Sequence, residues 1–131
     1  MIEELEDRWT LGLRGTQVLT VAQESHPSAC MVTLAGGVDL TVNGSVHLTR
    51  GPVAAPGAAP IQQLDELVGT TVLSAVAFKS GVLRIVFSAG QHMNVRGDKP
   101  EVTVRIRKSG EFDHSYKGGV GAMKVVGPSA P

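Results

Sequence analysis

Five basic side chains are the residues of this sequence best placed to do chemistry together: Arg84, Arg96, Arg105, Arg107 and Lys108. The four arginines take the polar phase of segments that alternate apolar and polar residues, and Lys108 lies just beyond. Alternation of period two sends them all to one side of a sheet. If the strands are neighbours, the arginines form one basic face able to hold a phosphate, an acidic protein or a nucleic acid. No aromatic residue interleaves with them, so a stacking platform for bases is missing. The formal net charge is also zero. The face therefore points to a protein partner or a second copy of the chain, against the plainer reading of a solubilising surface.

The other chemistry-bearing residues form no set. His26, His47, His92 and His114 show no metal-ligand spacing, and there is no cysteine pair to help them. They read as ordinary surface histidines, and no metal or cofactor is expected. Cys30 alternates in phase with Val32 and Leu34, which points it inward as an inert core thiol. Arg96-Gly97-Asp98 spells an adhesion tripeptide but stands where a hairpin turn is expected. The glycines are spaced as turns and form no phosphate loop, and no paired carboxylates or Ser/His/Asp set stands out. The sequence thus favours a non-enzymatic binding or protein-interaction module with no catalytic residues. The alternative is a small-ligand carrier or minor enzyme with a cavity between two halves of the fold.

Those two halves are visible as a repeat. Leu13, Gly15, Thr16, Val18 and Leu19 recur as Leu67, Gly69, Thr70, Val72 and Leu73, an offset of 54. Gly37, Val42 and Gly44 recur as Gly90, Val95 and Gly97, an offset of 53. Each copy spans roughly 35–40 residues, too few to sustain a core alone, so the copies must cover each other. Val32, Leu40, Leu83, Ile85, Val102, Val104 and their like alternate with polar residues, the mark of strands with one buried face. The expected fold is all-β with one or two short helices. Two antiparallel meanders pack as a pseudo-twofold sandwich or small barrel.

Along the chain this gives a single β domain over 1–126. Repeat one covers about 11–50, a linker and short helix 51–68, repeat two 69–108, a C-terminal extension 109–126, and a disordered tail 127–131. Ile2, Leu5 and Trp9 have helical spacing, so 1–9 reads as a short helix, as does 61–68 after Pro60. Asn43-Gly44 reads as a two-residue hairpin turn, with Arg96-Gly97-Asp98 in the same role.

Charge is unevenly spread. Residues 1–60 hold six acids and three bases, residues 61–131 six acids and nine bases. Opposite charge on the two halves suits either two solvated faces or complementarity within an oligomer or toward a partner. With one cysteine, no apolar run of membrane-spanning length and no visible leader, the expected setting is the cytoplasm.

The Leu-x-Gly-Thr-x-Val opening, its second copy after a short helix, the Gly81-x-Leu83-x-Ile85-x-Phe87-x-x-Gly90 run and the late Gly118-Gly119 together carry a resemblance. The sequence resembles a family of small actinobacterial proteins known only as a domain of unknown function. The resemblance covers 11–124 loosely and 67–96 most firmly. That family often carries an aromatic-acid-small-Trp run after the last repeat strand, of which only Glu101 is kept in Pro100–Val104. The resemblance implies an accessory or immunity-like role and brings no catalytic residues with it.

Overall fold

A computed structural model describes residues 2–25, 28–44, 46–51, 59–60, 64–117 and 120–125. The first copy supplies β3 (Val18–Ser25), β4 (Ser28–Leu34), β5 (Val38–Asn43) and β6 (Val46–Arg50). The second supplies β8 (Val72–Phe78), β9 (Val82–Phe87), β10 (Gln91–Arg96) and β11 (Thr103–Lys108). Around them lie β1 (Glu3–Glu4), β2 (Arg8–Thr10), β7 (Ala59–Pro60), β12 (Phe112–Lys117) and β13 (Val120–Val125). The fold is all-β, as expected, and its antiparallel strands make two sheets that pack as a sandwich and do not close into a barrel.

The sheets are built by exchange. One has the order β1-β2-β8-β9-β10-β6-β7, the other β13-β12-β11-β5-β4-β3. Three strands of each copy form a meander, but the fourth crosses to the other sheet. There β6 pairs with β10, Leu48 opposite Met93, and β11 pairs with β5, Ile106 opposite Leu40. Asn43-Gly44 and Arg96-Gly97-Asp98 are therefore not hairpin turns. They are the two places where the chain passes between sheets. Gly44 (φ +132°) supplies the conformation an L-residue resists. Gly97 is needed for space, because a Cβ there would lie 2.6 Å from the Tyr116 ring and 2.7 Å from the Gly81 carbonyl oxygen.

A pseudo-twofold axis runs between Gln17 and Thr71, equivalent residues that bridge each other. The Val18 amide donates to the Thr70 carbonyl and the Val72 amide to the Thr16 carbonyl, each at 2.8 Å. Gly15 donates to Val72 and Gly69 to Val18 in the same symmetric way. Just past the axis both copies carry a bulge, at Leu19 and Leu73, and both leucines are nearly half exposed. A bulge leaves one residue out of the ladder, which is how a leucine in the repeat comes to face water.

Apolar side chains from both sheets fill the space between them as one core, including Val32, Leu40, Leu83, Ile85, Met93 and Ile106. Burying such side chains is the main favourable term in folding, about 1.5–3 kcal/mol each. Neither half could hold this core alone, since each sheet takes strands from both.

Of the two expected helices, the one at the start of the chain is replaced by strands and the other is met by a short 3₁₀ helix. Residues 3–10 form β1 and β2, with Arg8, Trp9 and Thr10 paired to Phe78, Ala77 and Val76. A nine-residue helix is marginal in water, whereas the open edge of β8 offers a ladder and a half-buried place for Trp9 against the core. At 61–68 only a single 3₁₀ turn, Leu64–Leu67, is seen, burying Leu64 and Leu67; residues 61–63 lie outside the described residues. Of the expected linker, Ala59–Pro60 pairs with Thr49 and Arg50 at a sheet edge, where proline is tolerated. The expected turn at His26-Pro27, the tail 127–131 and Gly118-Gly119 fall outside the described residues.

Candidate functional site

The exchange of strands decides where the five basic residues go. Arg84 on β9 and Arg96 at the end of β10 stand on the seven-stranded sheet; Arg105, Arg107 and Lys108 on β11 stand on the six-stranded one. The four arginines point away from the core on opposite outer faces, while Lys108 is half-buried at the end of β11, in register with the core residues Val38 and Phe112, so the five make no single basic patch. That corrects the expectation of one face, which assumed that β10 and β11 are neighbours.

On the seven-stranded sheet the arginines are engaged locally. Arg96 forms a bidentate pair with Asp98 at 2.8 and 2.7 Å. Its guanidinium holds the Asp98 carboxyl below the usual carboxylate range. Arg84 lies over the Phe78 ring at 5.2 Å, and Arg8 covers that ring at 4.8 Å. Arg84 also reaches the Asn94 side-chain oxygen at 3.4 Å. Arg96 further lines a depression at the end of the sheet with His47, Lys99 and Glu101.

The outer face of the six-stranded sheet is built differently. In register, Arg107 stands opposite Asp39 on β5 and Asp113 on β12, while Arg105 stands opposite Thr41 and Ser115. Arg105 reaches diagonally and takes Asp113 in a bidentate clasp at 3.0 and 2.6 Å, which raises its own pKa. Arg107 is left with Asp39 at 3.6 Å, an ion pair too long to be a hydrogen bond. Lys108 pairs with Glu111 at 2.8 Å and holds that carboxyl below its ordinary value.

Small side chains occupy the middle of this face. Three shallow depressions of about 200, 310 and 280 Å³ meet at Thr41. Met31 is shared by two of them, as are Asn43 and Arg105, and Arg107 lines the first. Met31 is 48 % exposed, the most exposed large apolar side chain of this sheet among the described residues. The Asn43 amide donates to the Thr103 hydroxyl at 3.2 Å, which fixes one wall. Met31, Thr41 and Asn43 were absent from the sequence-level site, yet the sign was there. They share the polar phase of β4 and β5, and only the pairing of β5 with β11 brings them beside the arginines.

The remaining candidates resolve simply. Cys30 is buried and its thiol is pushed up to about 11 by loss of solvent, which leaves it inert. His47 is exposed and His92 half-buried on the seven-stranded sheet; His26 lies outside the described residues. His114 overturns the expectation of a surface histidine, since it is fully buried. The alternation Phe112-x-His114-x-Tyr116 marks it as inward-facing. Among the described residues, no three His, Cys, Asp or Glu side chains gather as a metal site. None of the described helices is long and apolar enough to cross a membrane.

A family model described as a family of unknown function, DUF6188, matches residues 9–103. The chain belongs to DUF6188. The match opens at Trp9 on β2 and closes at Thr103, the first residue of β11, so it takes in both meanders and both crossings. In this DUF6188 chain β12 and β13 extend the six-stranded sheet beyond the matched region. No curated protein and no solved structure matches the chain.

Proposed function

We propose that this protein is a non-enzymatic interaction module that docks a protein partner on the outer face of its six-stranded sheet. One observation carries the reading: three depressions meet at Thr41 beside an exposed methionine and an arginine held only loosely by its aspartate. Arginine and methionine are enriched where proteins meet, and a methionine can adapt to the surface laid on it. A guanidinium without a committed hydrogen bond gives a partner carboxylate or carbonyl a directional donor fork. The side chains packed between the sheets favour this reading over a carrier with an internal cavity. The aromatic ring nearest the arginines on the other sheet, Phe78, is already covered by Arg8 and Arg84, which disfavours nucleic-acid stacking. The setting we propose is the cytoplasm, in an accessory role, with no cofactor and no membrane contact.

Affinity capture with the full chain tests the surface. Partners held by the unaltered protein should be lost from Met31→Asp and Arg107→Glu, and kept by Arg84→Glu on the opposite face. Equal retention by all three variants would refute the site. Sedimentation of the same proteins identifies a second copy as the partner if a dimer dissociates only in the first two variants.

A further inference from the structure

We propose that the end of the sandwich around His114 is an acid-responsive joint: when the imidazole takes up a proton, the β1–β2 edge lifts from β12–β13 while the duplicated strands stay folded. His114 is completely buried, and neither ring nitrogen has a hydrogen-bond partner among the described residues. A buried polar ring ordinarily has at least one. Trp9 of β2 lies against it with ring centres 5.1 Å apart, and Tyr116 meets it edge-on at 4.5 Å. The ring is therefore the contact between two additions that the repeat does not contain, one on each sheet.

Among the described residues, no carboxylate is turned onto the ring to pair with a charge there; the Asp113 charge and the Ala122 backbone favour the protonated form, and burial outweighs them. Asp113, next on β12, is on the outward phase and clasps Arg105. Arg105 and Arg107 on β11 also face outward. Lys79 sits over the Trp9 ring at 5.1 Å and is bound to Glu4 at 2.7 Å, and Arg8 is bound to Asp7. The Tyr116 hydroxyl donates to the Phe78 and Val82 carbonyls. On β13, Gly121, Ala122 and Met123 carry no charge; the Ala122 backbone favours the protonated ring but closes no hydrogen bond with it.

Burial holds the imidazole down to about 4 from an ordinary 6.5. An opened joint restores the ordinary value. Between those two pH values the open form binds more protons, so falling pH favours opening, and above 6.5 the ring has no effect. The edge that yields is the one held least: β2 pairs over three residues and β1 over two.

Trp9 is the sole tryptophan, so its emission reports the joint directly. In the full chain, emission should shift to the red with a midpoint between pH 6.5 and 4 while far-UV circular dichroism stays constant. His114→Phe should abolish the shift, and Glu4→Gln should leave it in place. In the unaltered chain, nuclear magnetic resonance of the His114 ring should titrate with the same midpoint, which keeps the test decisive if His114→Phe does not fold. Loss of Trp9 burial together with the whole fold, persistence of the shift in His114→Phe, or a shift while His114 remains neutral would each overturn the proposal.

Discussion

Around the pseudo-twofold axis everything comes in pairs: Val18 and Val72 exchange amide hydrogen bonds with the opposite copy, and Leu19 and Leu73 bulge outward at matching places. At the end of the sandwich where β1–β2 faces β12–β13, nothing is paired. The sole tryptophan, the sole tyrosine and the buried histidine meet there. The duplicated region is held by aliphatic packing and strand exchange. The single-copy end is held by a few directed contacts, Tyr116 above all. Aliphatic packing is redundant and tolerant of detail, whereas directed contacts fail one at a time. So the two regions should respond differently to the same kind of insult.

The largest effects should come from the duplicated core and should be equal on its two sides. Leu40 and Met93 are equivalent positions in opposite sheets, both fully buried. Leu40→Ala and Met93→Ala should each lower the unfolding free energy by about 4 kcal/mol, read from urea titration. Because each sheet takes strands from both copies, calorimetry should show one transition in either variant. Two separate transitions would mean that the halves are independent.

The next test separates space from conformation. Gly97→Ala drives a methyl into Tyr116 and the Gly81 carbonyl and should cost about 3 kcal/mol. Gly90→Ala has open space around it and only a positive φ to resist, so about 1 kcal/mol is expected. Equal losses would place the weight on backbone conformation alone.

A smaller effect belongs to the single-copy end. Tyr116→Phe keeps the ring between Gly97 and Gly121 but removes the hydroxyl that donates to the Phe78 and Val82 carbonyls, leaving Phe78 with the Gly81 amide. The expected loss is about 1.5 kcal/mol by thermal unfolding. No loss would show that the ring, not the hydroxyl, holds this end.

The smallest effect on stability should come from the outer face. Arg107→Ala removes an exposed ion pair at 3.6 Å and should leave the melting temperature unchanged. A clear fall would make Arg107 a structural residue and weaken its role in docking.

Much of this was legible in the sequence, for reasons that can be named. Alternation set Val32, Leu40, Ile85 and Ile106 inward, because a strand with one buried face must alternate. The offset repeat set the twofold, because half-sized units cannot stand alone. What stayed hidden was adjacency. Asn43-Gly44 suits a hairpin, but the same left-handed freedom serves a crossing, and no local rule distinguishes the two. With the crossing unseen, β10 and β11 looked like neighbours, and Arg96 was joined to Arg105 across what is the whole thickness of the sandwich. Residues 1–9 suit a helical period through Ile2, Leu5 and Trp9, while the edge of β8 that captures them as strands is far away in sequence. The trough around Thr41 was half seen, through Arg105 and Arg107, and completed only by the pairing of β5 with β11.

The exchange of fourth strands is the claim on which the rest stands, and cross-strand nuclear Overhauser contacts test it most directly. Contacts between Leu40 and Ile106 and between Met93 and Leu48 are expected. Contacts of β5 with β6, and of β10 with β11, along their lengths would mean that each copy folds on itself, and would contradict the account.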